Sequence, residues 1–453
     1  MSNNQDSSIS KQKTQVFKTG GKVELISACG IGKGIIGRAE IKTEEALGAF
    51  KKNEKSMSFF VPASGSGSRM FQFLFEYVNS GEVTEDVLTF FNHLSEFAFY
   101  SLLPKNILDL INYDNIAVAN YLMSDEGLNF GSKSKGLIEF HKWNNHLLTP
   151  FQEQVLQADK LFKGQGEIHF TIQESQKTEI ENSINAIKDE LSHPVKVSYS
   201  FQSTDSDAFC FNNEEELVMD GVNPLRRPAG HGALLSNLNK LNAETILIKN
   251  IDNLQTMENC DSSLDAWRIS VGYLSMFEEG LIKIKSNFSI PALEEFNAHF
   301  QFLSAAEVKD MTPFLFDLIV SRPCRVCGMV KNEGKAGGGP FWIDDDGVVS
   351  KQIVERVQIS DEIEQQEIMK GSTHFNPVFV ALSKNGTNNE LLNLEEFLDD
   401  SKILKVSKSQ QGTTINYREL PGLWNGSMHN WNTIFIELPK EIFTPVKSVL
   451  DLI

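Results

Sequence analysis

Long apolar runs are missing from this chain. No stretch of eighteen or more consecutive apolar residues occurs in its 453 positions, so no segment reads as a helix long enough to cross hydrocarbon. The N-terminal Met1-Ser-Asn-Asn-Gln-Asp-Ser-Ser lacks the basic start and apolar centre of a secretory signal. Cysteine is scarce. Cys29, Cys210, Cys260, Cys324 and Cys327 form an odd, scattered set, the usage of reduced thiols in a cytoplasm rather than of a disulfide framework. These absences predict a cytoplasmic protein with no membrane partner. Basic charge is short as well: 42 Lys and Arg stand against 60 Asp and Glu, a formal net charge of −18. A surface of that sign repels nucleic-acid phosphates at long range and argues against DNA or RNA as a partner. A small anionic ligand stays compatible, because a metal ion and a few fixed cations govern one pocket locally.

Apolar residues at 41% suffice for a core, and their spacing gives the element order. Residues 1–20 are predicted to be disordered, and 41–52 to form a short helix with Thr43 as its cap. A strand over 57–62 runs into Ala63-Ser-Gly-Ser-Gly-Ser-Arg-Met70, and helical spacing resumes over 71–77. Residues 84–123 are helical in pattern, broken at Pro104. Thr149-Pro150 opens a further helix, with a cap and a proline at the first helical position. Strands over 167–172, 195–201 and 245–248 then alternate with helices over 175–192 and 234–242, and a long helix follows from 262 to 285. This alternation predicts an α/β fold with a doubly wound, mostly parallel sheet covered by helices on both faces. The predicted boundaries are a disordered 1–20, an N-terminal helical segment over 21–55, an α/β core over 56–380 with a helical insertion near 84–130, and a C-terminal extension over 381–453.

Three segments carry chemistry. In Gly65-Ser-Gly-Ser-Arg-Met70 the glycines let a backbone approach phosphate oxygens, and Arg69 adds a forked cation. No Gly-Lys-Ser/Thr follows, so it is not a Walker loop, and the glycine spacing is not that of a dinucleotide fingerprint. The apolar run that starts at Ile246 ends abruptly in Asn250-Ile-Asp-Asn253. Ligands in α/β sheets sit at strand carboxyl ends, which puts Asp252 where a metal or phosphate belongs; a helix cap is the alternative for this carboxylate. Arg227-Pro-Ala-Gly-His-Gly-Ala-Leu234 is a glycine-broken loop with a positive lip. Gln202, at the end of a strand, either reads a base edge or sits in a plain turn. Cys324-Arg-Val-Cys327 has half-zinc-site spacing but no partner pair, and two buried thiols are favoured.

The motifs resemble those of sugar-phosphate nucleotidyltransferases. Ala63 to Met70 is similar to their Ala-Gly-Gly-x-Gly-Thr-Arg-Met loop, and Lys135-Gly-Leu-Ile-Glu139 to their Pro-Lys-x-Leu-Ile segment. Pro228-Ala-Gly-His-Gly-Ala233 and Asn250-Ile-Asp-Asn-Leu254 resemble the Pro-Gly-Gly-His-Gly and Asn-x-Asp-Asn-Leu pieces of UDP-sugar pyrophosphorylases. Phe443-Thr-Pro-Val-Lys-Ser-Val-Leu-Asp-Leu452 resembles their Phe-x-Pro-Val-Lys-x-x-x-Asp-Leu tail. The five pieces come in the same order, from about residue 59 to 452. As a whole the chain resembles a bacterial family of unknown function, domain of unknown function 4301, thought to be related to these enzymes. Ser64 and Ala229 replace glycines of the pattern, and no proline precedes Lys135.

The resemblance implies a nucleotide-diphospho-sugar transferase-like (Rossmann-like) fold and a Mg²⁺- or Mn²⁺-dependent reaction, in which a nucleoside triphosphate and a sugar-1-phosphate give a nucleotide sugar and pyrophosphate. It assigns Asp252 to the metal, and Arg69, Lys135 and Lys447 to the reacting phosphates; Asn376, in the polar, turn-forming Thr373-His-Phe-Asn-Pro377, is a further candidate for the metal shell. Ser64, Gly65, Ser66, Gly67, Ser68, Gln202, Gly230, His231 and Gly232 fall to the nucleotide, and Asn250, Gly338 and Glu355 to the sugar. For His231 a solvent-facing turn is the alternative, and for the glycines of 334–339 a mobile surface loop. The alternative function is a non-catalytic sugar-nucleotide-binding or sensor protein that keeps the pocket. The sequence leaves the base, the sugar and the oligomeric state open.

Overall fold

The structure is a computed structural model that describes residues 3–18, 21–332, 334, 338–386, 390–410 and 413–453. It has two compact units whose sequence segments interleave: a smaller one of residues 57–201, 249–266 and 441–453, and a larger one of residues 1–56, 202–248 and 267–440. Among the described residues no helix is long and apolar enough to cross a membrane.

In the smaller unit the buried run Met57–Pro62 pairs in parallel with Gly166–Ile172, which pairs in parallel with Lys196–Phe201. The capped helix predicted from Thr149-Pro150 forms as Pro150–Phe162: Thr149 Oγ1 accepts from Gln152 N–H, and Gln152 Oε1 accepts from Thr149 N–H at 2.8 Å. Phe151 packs edge-on against Phe170, fixing this helix to the middle strand. The predicted insertion becomes a helical layer around fully buried Phe71, Phe90, Phe97, Phe99 and Phe130. Val446 and Val449, from the end of the chain, join that core. Burial at the usual 25 cal/mol per Å² thus secures the segment that carries Lys447.

The larger unit holds a mixed array in the order Gly30–Ile31, Gly34–Ile36, Asn432–Glu437, Cys324–Lys331, Val380–Ser383, Thr245–Ile248. Asn432–Glu437 runs parallel to Cys324–Lys331, but Val380–Ser383 runs antiparallel to both of its neighbours. The other pairs of this array are parallel, so the sheet is mixed, and Val380–Ser383 is where it departs from the parallel arrangement predicted from the strand–helix alternation. The reason lies in the connection. Residues 374–383 run back along Cys324–Lys331, first as His374–Phe375 and then, past Val378 with its positive φ of 60°, as Val380–Ser383. A parallel neighbour needs a crossover of a dozen or more residues, and none fits between these two pieces.

A three-stranded antiparallel sheet of Glu24–Ala28, Gly339–Asp345 and Val348–Val354 completes the unit. Its hairpin turns at Asp346-Gly347, both with positive φ, the pairing that a two-residue hairpin loop favours. Other expectations also change. Residues Asn3–Phe17 form a helix rather than a disordered tail, anchored by Val16 against Phe209 and Phe211; its polar sequence hides so few anchors that it reads as disorder. The 21–55 segment is mainly strands followed by the helix Thr43–Lys52, whose cap is Lys42 rather than Thr43. Residues 381–453 are no appendage: they supply most of Val380–Ser383 and all of Asn432–Glu437. The long helix predicted from 262 forms as Asp261–Ser286.

Candidate active site

In the smaller unit the strand Met57–Pro62 delivers the glycine loop, and a hydrogen-bonded bridge joins that loop to the segment carrying Lys135. Lys135 N–H donates to Gly65 O at 3.2 Å, and Gly67 N–H donates to Lys133 O at 2.9 Å. Gln173, just past the neighbouring strand, donates to Ser64 O at 2.8 Å. Gly67 is a packing glycine, since a Cβ there would lie 2.6 Å from the Ile138 side chain. Gly65 faces open space. Among the described residues the N–H groups of Gly65, Ser66, Ser68 and Arg69 meet no protein acceptor, whereas that of Gly67 is committed. The loop thus keeps a row of free donors of the kind an anion can use, with Gly67 not among them.

Lys135 reaches across to Asp252. Its Nζ lies 2.8 Å from Asp252 Oδ2, and Lys447 Nζ lies 2.9 Å from the same oxygen. Lys135 also donates to Val446 O. The chain around Asp252 is pinned to the segment around Lys447, because Val446 N–H donates to Asp252 O at 2.9 Å and Thr444 Oγ1–H to Leu254 O at 3.0 Å. Burial pushes the Asp252 carboxyl up, but the two ammonium groups together outweigh it and hold it below the ordinary carboxylate range. Burial pulls Lys135 down, and Asp252 restores part of that loss. The Lys135–Asp252 pair is largely buried, while the Lys447 side chain is 65% exposed. Asp252 is no helix cap; it sits in a turn with two cations on one oxygen. Arg69 is exposed and makes no ion pair among the described residues.

A model of the family called domain of unknown function DUF4301 matches residues 1–453. The chain belongs to the DUF4301 family. No curated protein matches this DUF4301 chain in sequence. Among solved structures it is similar to a UDP-glucose phosphorylase from Trypanosoma brucei, at 12% identity and a TM-score of 0.46, over 99% of this chain and 73% of that one. It is also similar to the uridine diphosphate N-acetylglucosamine pyrophosphorylase of Trypanosoma brucei in complex with inhibitor, at 13% identity and a TM-score of 0.45, over 99% and 73%.

The remaining predicted residues of the DUF4301 chain fall mostly in the larger unit. His231 stacks on Trp424 with ring centroids 4.0 Å apart, and its Nδ1 accepts from Leu423 N–H at 3.0 Å. Nε2 therefore carries the proton and faces Glu355 Oε1 at 3.4 Å. Gly230 has φ +73°, and a Cβ on it would lie 2.4 Å from the Glu419 carboxylate, so two constraints demand glycine there. A Cβ on Gly232 would meet Pro421 O at 2.2 Å. Burial pushes the Glu419 carboxyl up, with His231 opposing. Trp424 and Glu419 escaped the sequence reading, which had no signal linking them to a loop nearly two hundred positions earlier.

Gln202 is half-buried, directly after Lys196–Phe201. Asn250 belongs to the smaller unit and gives its backbone carbonyl to Gln154. Asn376 belongs to the larger one, with its amide committed at both ends: Nδ2 donates to Gly328 O at 2.8 Å, and Oδ1 accepts from Val378 N–H at 3.1 Å. Gly338 bridges to Asn376 and packs against Ile353; residues 333 and 335–337 of the same glycine-rich loop lie outside the described residues. All five cysteines are buried and free, which agrees with ordinary core thiols at Cys324 and Cys327.

One further charged group went unread. Asp345, Asp399 and His429 bring their ligand atoms within 4.8 Å of one another. Lys402 is already there, 2.7 Å from Asp345 Oδ1.

Proposed function

We propose that this DUF4301 protein is a sugar-1-phosphate nucleotidyltransferase, which joins a nucleoside triphosphate to a sugar-1-phosphate and releases pyrophosphate. The observation that carries this reading is the convergence of Lys135 and Lys447 on one Asp252 oxygen, beside a glycine loop with unspent N–H donors. Phosphoryl transfer needs little covalent help; it needs alignment and neutralised charge. Two ammonium groups on a single carboxylate leave a surplus of one positive charge. A triphosphate entering beside Gly65 supplies the missing negative charge. The lysines then exchange part of their hold on Asp252 for phosphate oxygens, and Asp252 keeps both of them protonated and in place. A cation about 4 Å from a phosphate charge is worth roughly 4 kcal/mol at an intermediate dielectric, and it raises the rate to the extent that the interaction strengthens in the transition state.

The donor set fits a Mg²⁺ or Mn²⁺ ion. Such an ion takes one or two carboxylates and fills its shell with waters and substrate phosphates. Asp252 Oδ2 accepts both lysines, and Oδ1 accepts no bond among the described residues. Asp252 alone would hold the metal in this reading, because the Asn376 amide is spent on backbone. When bound, the ion would neutralise phosphate charge and orient the reacting oxygens.

The test is a panel of nucleoside triphosphates and sugar-1-phosphates with Mg²⁺, followed by pyrophosphate release. At least one pair should turn over. Failure of every pair, together with no thermal stabilisation by any nucleotide, would sink the reading; stabilisation without turnover would instead identify a nucleotide-sugar-binding protein.

A further inference from the structure

The segment 249–257, which carries Asp252, has almost no regular structure of its own. Backbone groups in such a segment must find partners elsewhere, and many of its carbonyls are met from one helix. Pro150–Phe162 presents polar side chains at three-residue intervals along one side. Gln154 Nε2 donates to Asn250 O at 3.3 Å, Gln157 Nε2 to Gln255 O at 2.9 Å, and Lys160 Nζ to Met257 O at 3.1 Å. The ladder follows the segment in the same direction as the helix. Gln157 is used twice, since its Oε1 also accepts from the buried Lys249 Nζ at 3.0 Å. From the other flank, Thr444 and Val446 fix the same segment to the stretch that bears Lys447.

Gln154 and Gln157 are almost wholly buried, at 0% and 1% exposure. An apolar side chain of similar size would fill either place without the cost of removing an amide from water. Among the described residues Gln154 Oε1 even lacks a partner, so the residue is kept for its donor. That donor goes to backbone two residues before Asp252.

We infer that Gln154 and Gln157 are positioning residues, which hold the Asp252 segment at the height where one carboxylate oxygen meets both Lys135 and Lys447. They touch no ligand themselves. The inference rests on the polyphosphate reading of the cradle for its functional meaning, but its structural content is separate.

The experiment uses the full chain, its Gln154→Leu variant and a Gln154→Leu/Gln157→Leu variant. Two quantities are read: amide hydrogen exchange over 249–257, and binding of inorganic tripolyphosphate by calorimetry. Losing two such donors should weaken tripolyphosphate binding by about tenfold. Exchange should quicken over 249–257 and stay unchanged over 57–62 and 166–172, a local pattern that general loss of core stability would not give. If the unaltered chain binds tripolyphosphate and the double variant binds equally well, the inference is overturned and the proposed function stands. If the unaltered chain does not bind, the polyphosphate reading fails, and exchange alone decides whether the ladder orders the segment: unchanged exchange overturns it. Should the double variant not fold, Gln154→Leu alone is held to the same two criteria.

Discussion

Two clusters in this molecule use nearly the same residue types in opposite proportion. In the smaller unit two ammonium groups share one carboxylate: Lys135 and Lys447 on Asp252. In the larger unit two carboxylates, Asp345 and Asp399, surround one ammonium, Lys402, and one imidazole, His429. Burial pulls His429 down, although the neighbouring carboxylates oppose this. With His429 neutral, the second cluster carries one surplus negative charge; the three groups of the first carry one surplus positive charge, which the nearby Asp451 carboxylate offsets in part. Only the first can take in an anion without rearranging its charges, and only the first lies beside a loop with free N–H groups. What separates the proposed polyphosphate cradle from a structural ion cluster is thus charge balance and neighbouring donors, not the presence of Asp and Lys.

The largest effect should come from Asp252→Ala, which removes the centre of the cationic cluster. Pyrophosphate release should fall by about a thousandfold or more, the scale of one lost electrostatic anchor. Lys135 is then a largely buried cation without its bonded counter-ion and with only the more distant influence of Asp451, and breaking such a pair costs about 3–5 kcal/mol of stability. Lys447→Met separates the two consequences. The Lys447 side chain is 65% exposed, so its ion pair adds little to the fold. Activity should still drop, by roughly tenfold to a hundredfold, with the melting temperature unchanged. Initial rates and thermal denaturation on the same preparations check both. Full activity in either variant would erase the difference drawn between the clusters.

Lys249 sharpens the contrast from another side, because it is a buried lysine with no carboxylate bonded to it among the described residues. Burial brings its amine down to about 7 from an ordinary 10.5. Since the folded value lies below the unfolded one, stability from this group is fully present above pH 10.5 and declines as the pH falls towards 7. The fall should be on the order of a few kcal/mol. Lys249→Met should flatten that slope between pH 7 and 10, read by denaturant unfolding at several pH values. An unchanged slope would show that the ammonium is accommodated by Gln157 after all.

Much of the cradle was legible in the sequence. The strand over 57–62 with its glycine loop, together with Lys135, Asp252 and Lys447, was marked out by short motifs, and the structure brings the three charged residues together within hydrogen-bond distance. Arg69 fits the same motif and is exposed, without an ion pair among the described residues; a motif fixes residue types and not side-chain direction. The helix starting at Pro150 was readable from its cap, but its buried glutamines were not: a Gln at helical spacing normally reads as a solvent face. Gly67 looked like a phosphate glycine and is needed by Ile138. Val380–Ser383 gave no sign of its direction, since a short buried run is apolar whether its neighbours are parallel or antiparallel. The Asp345 cluster joins three distant segments, and nothing local announces such a meeting.

The smallest effect is expected at Asp345. Its side chain is 31% exposed and is shared between Lys402 and His429, so Asp345→Asn should cost about 1 kcal/mol at most once solvent screening is allowed for. Lys402 retains Asp399 at 3.7 Å, which limits the loss further. Tripolyphosphate binding should not change, because no residue of this cluster belongs to the cradle. Calorimetry on the Asp345→Asn variant therefore tests the comparison where it is most exposed. An affinity change of more than about threefold, which is roughly 0.7 kcal/mol, would mean that the two clusters are coupled and that charge balance within each is not the quantity that sets its role.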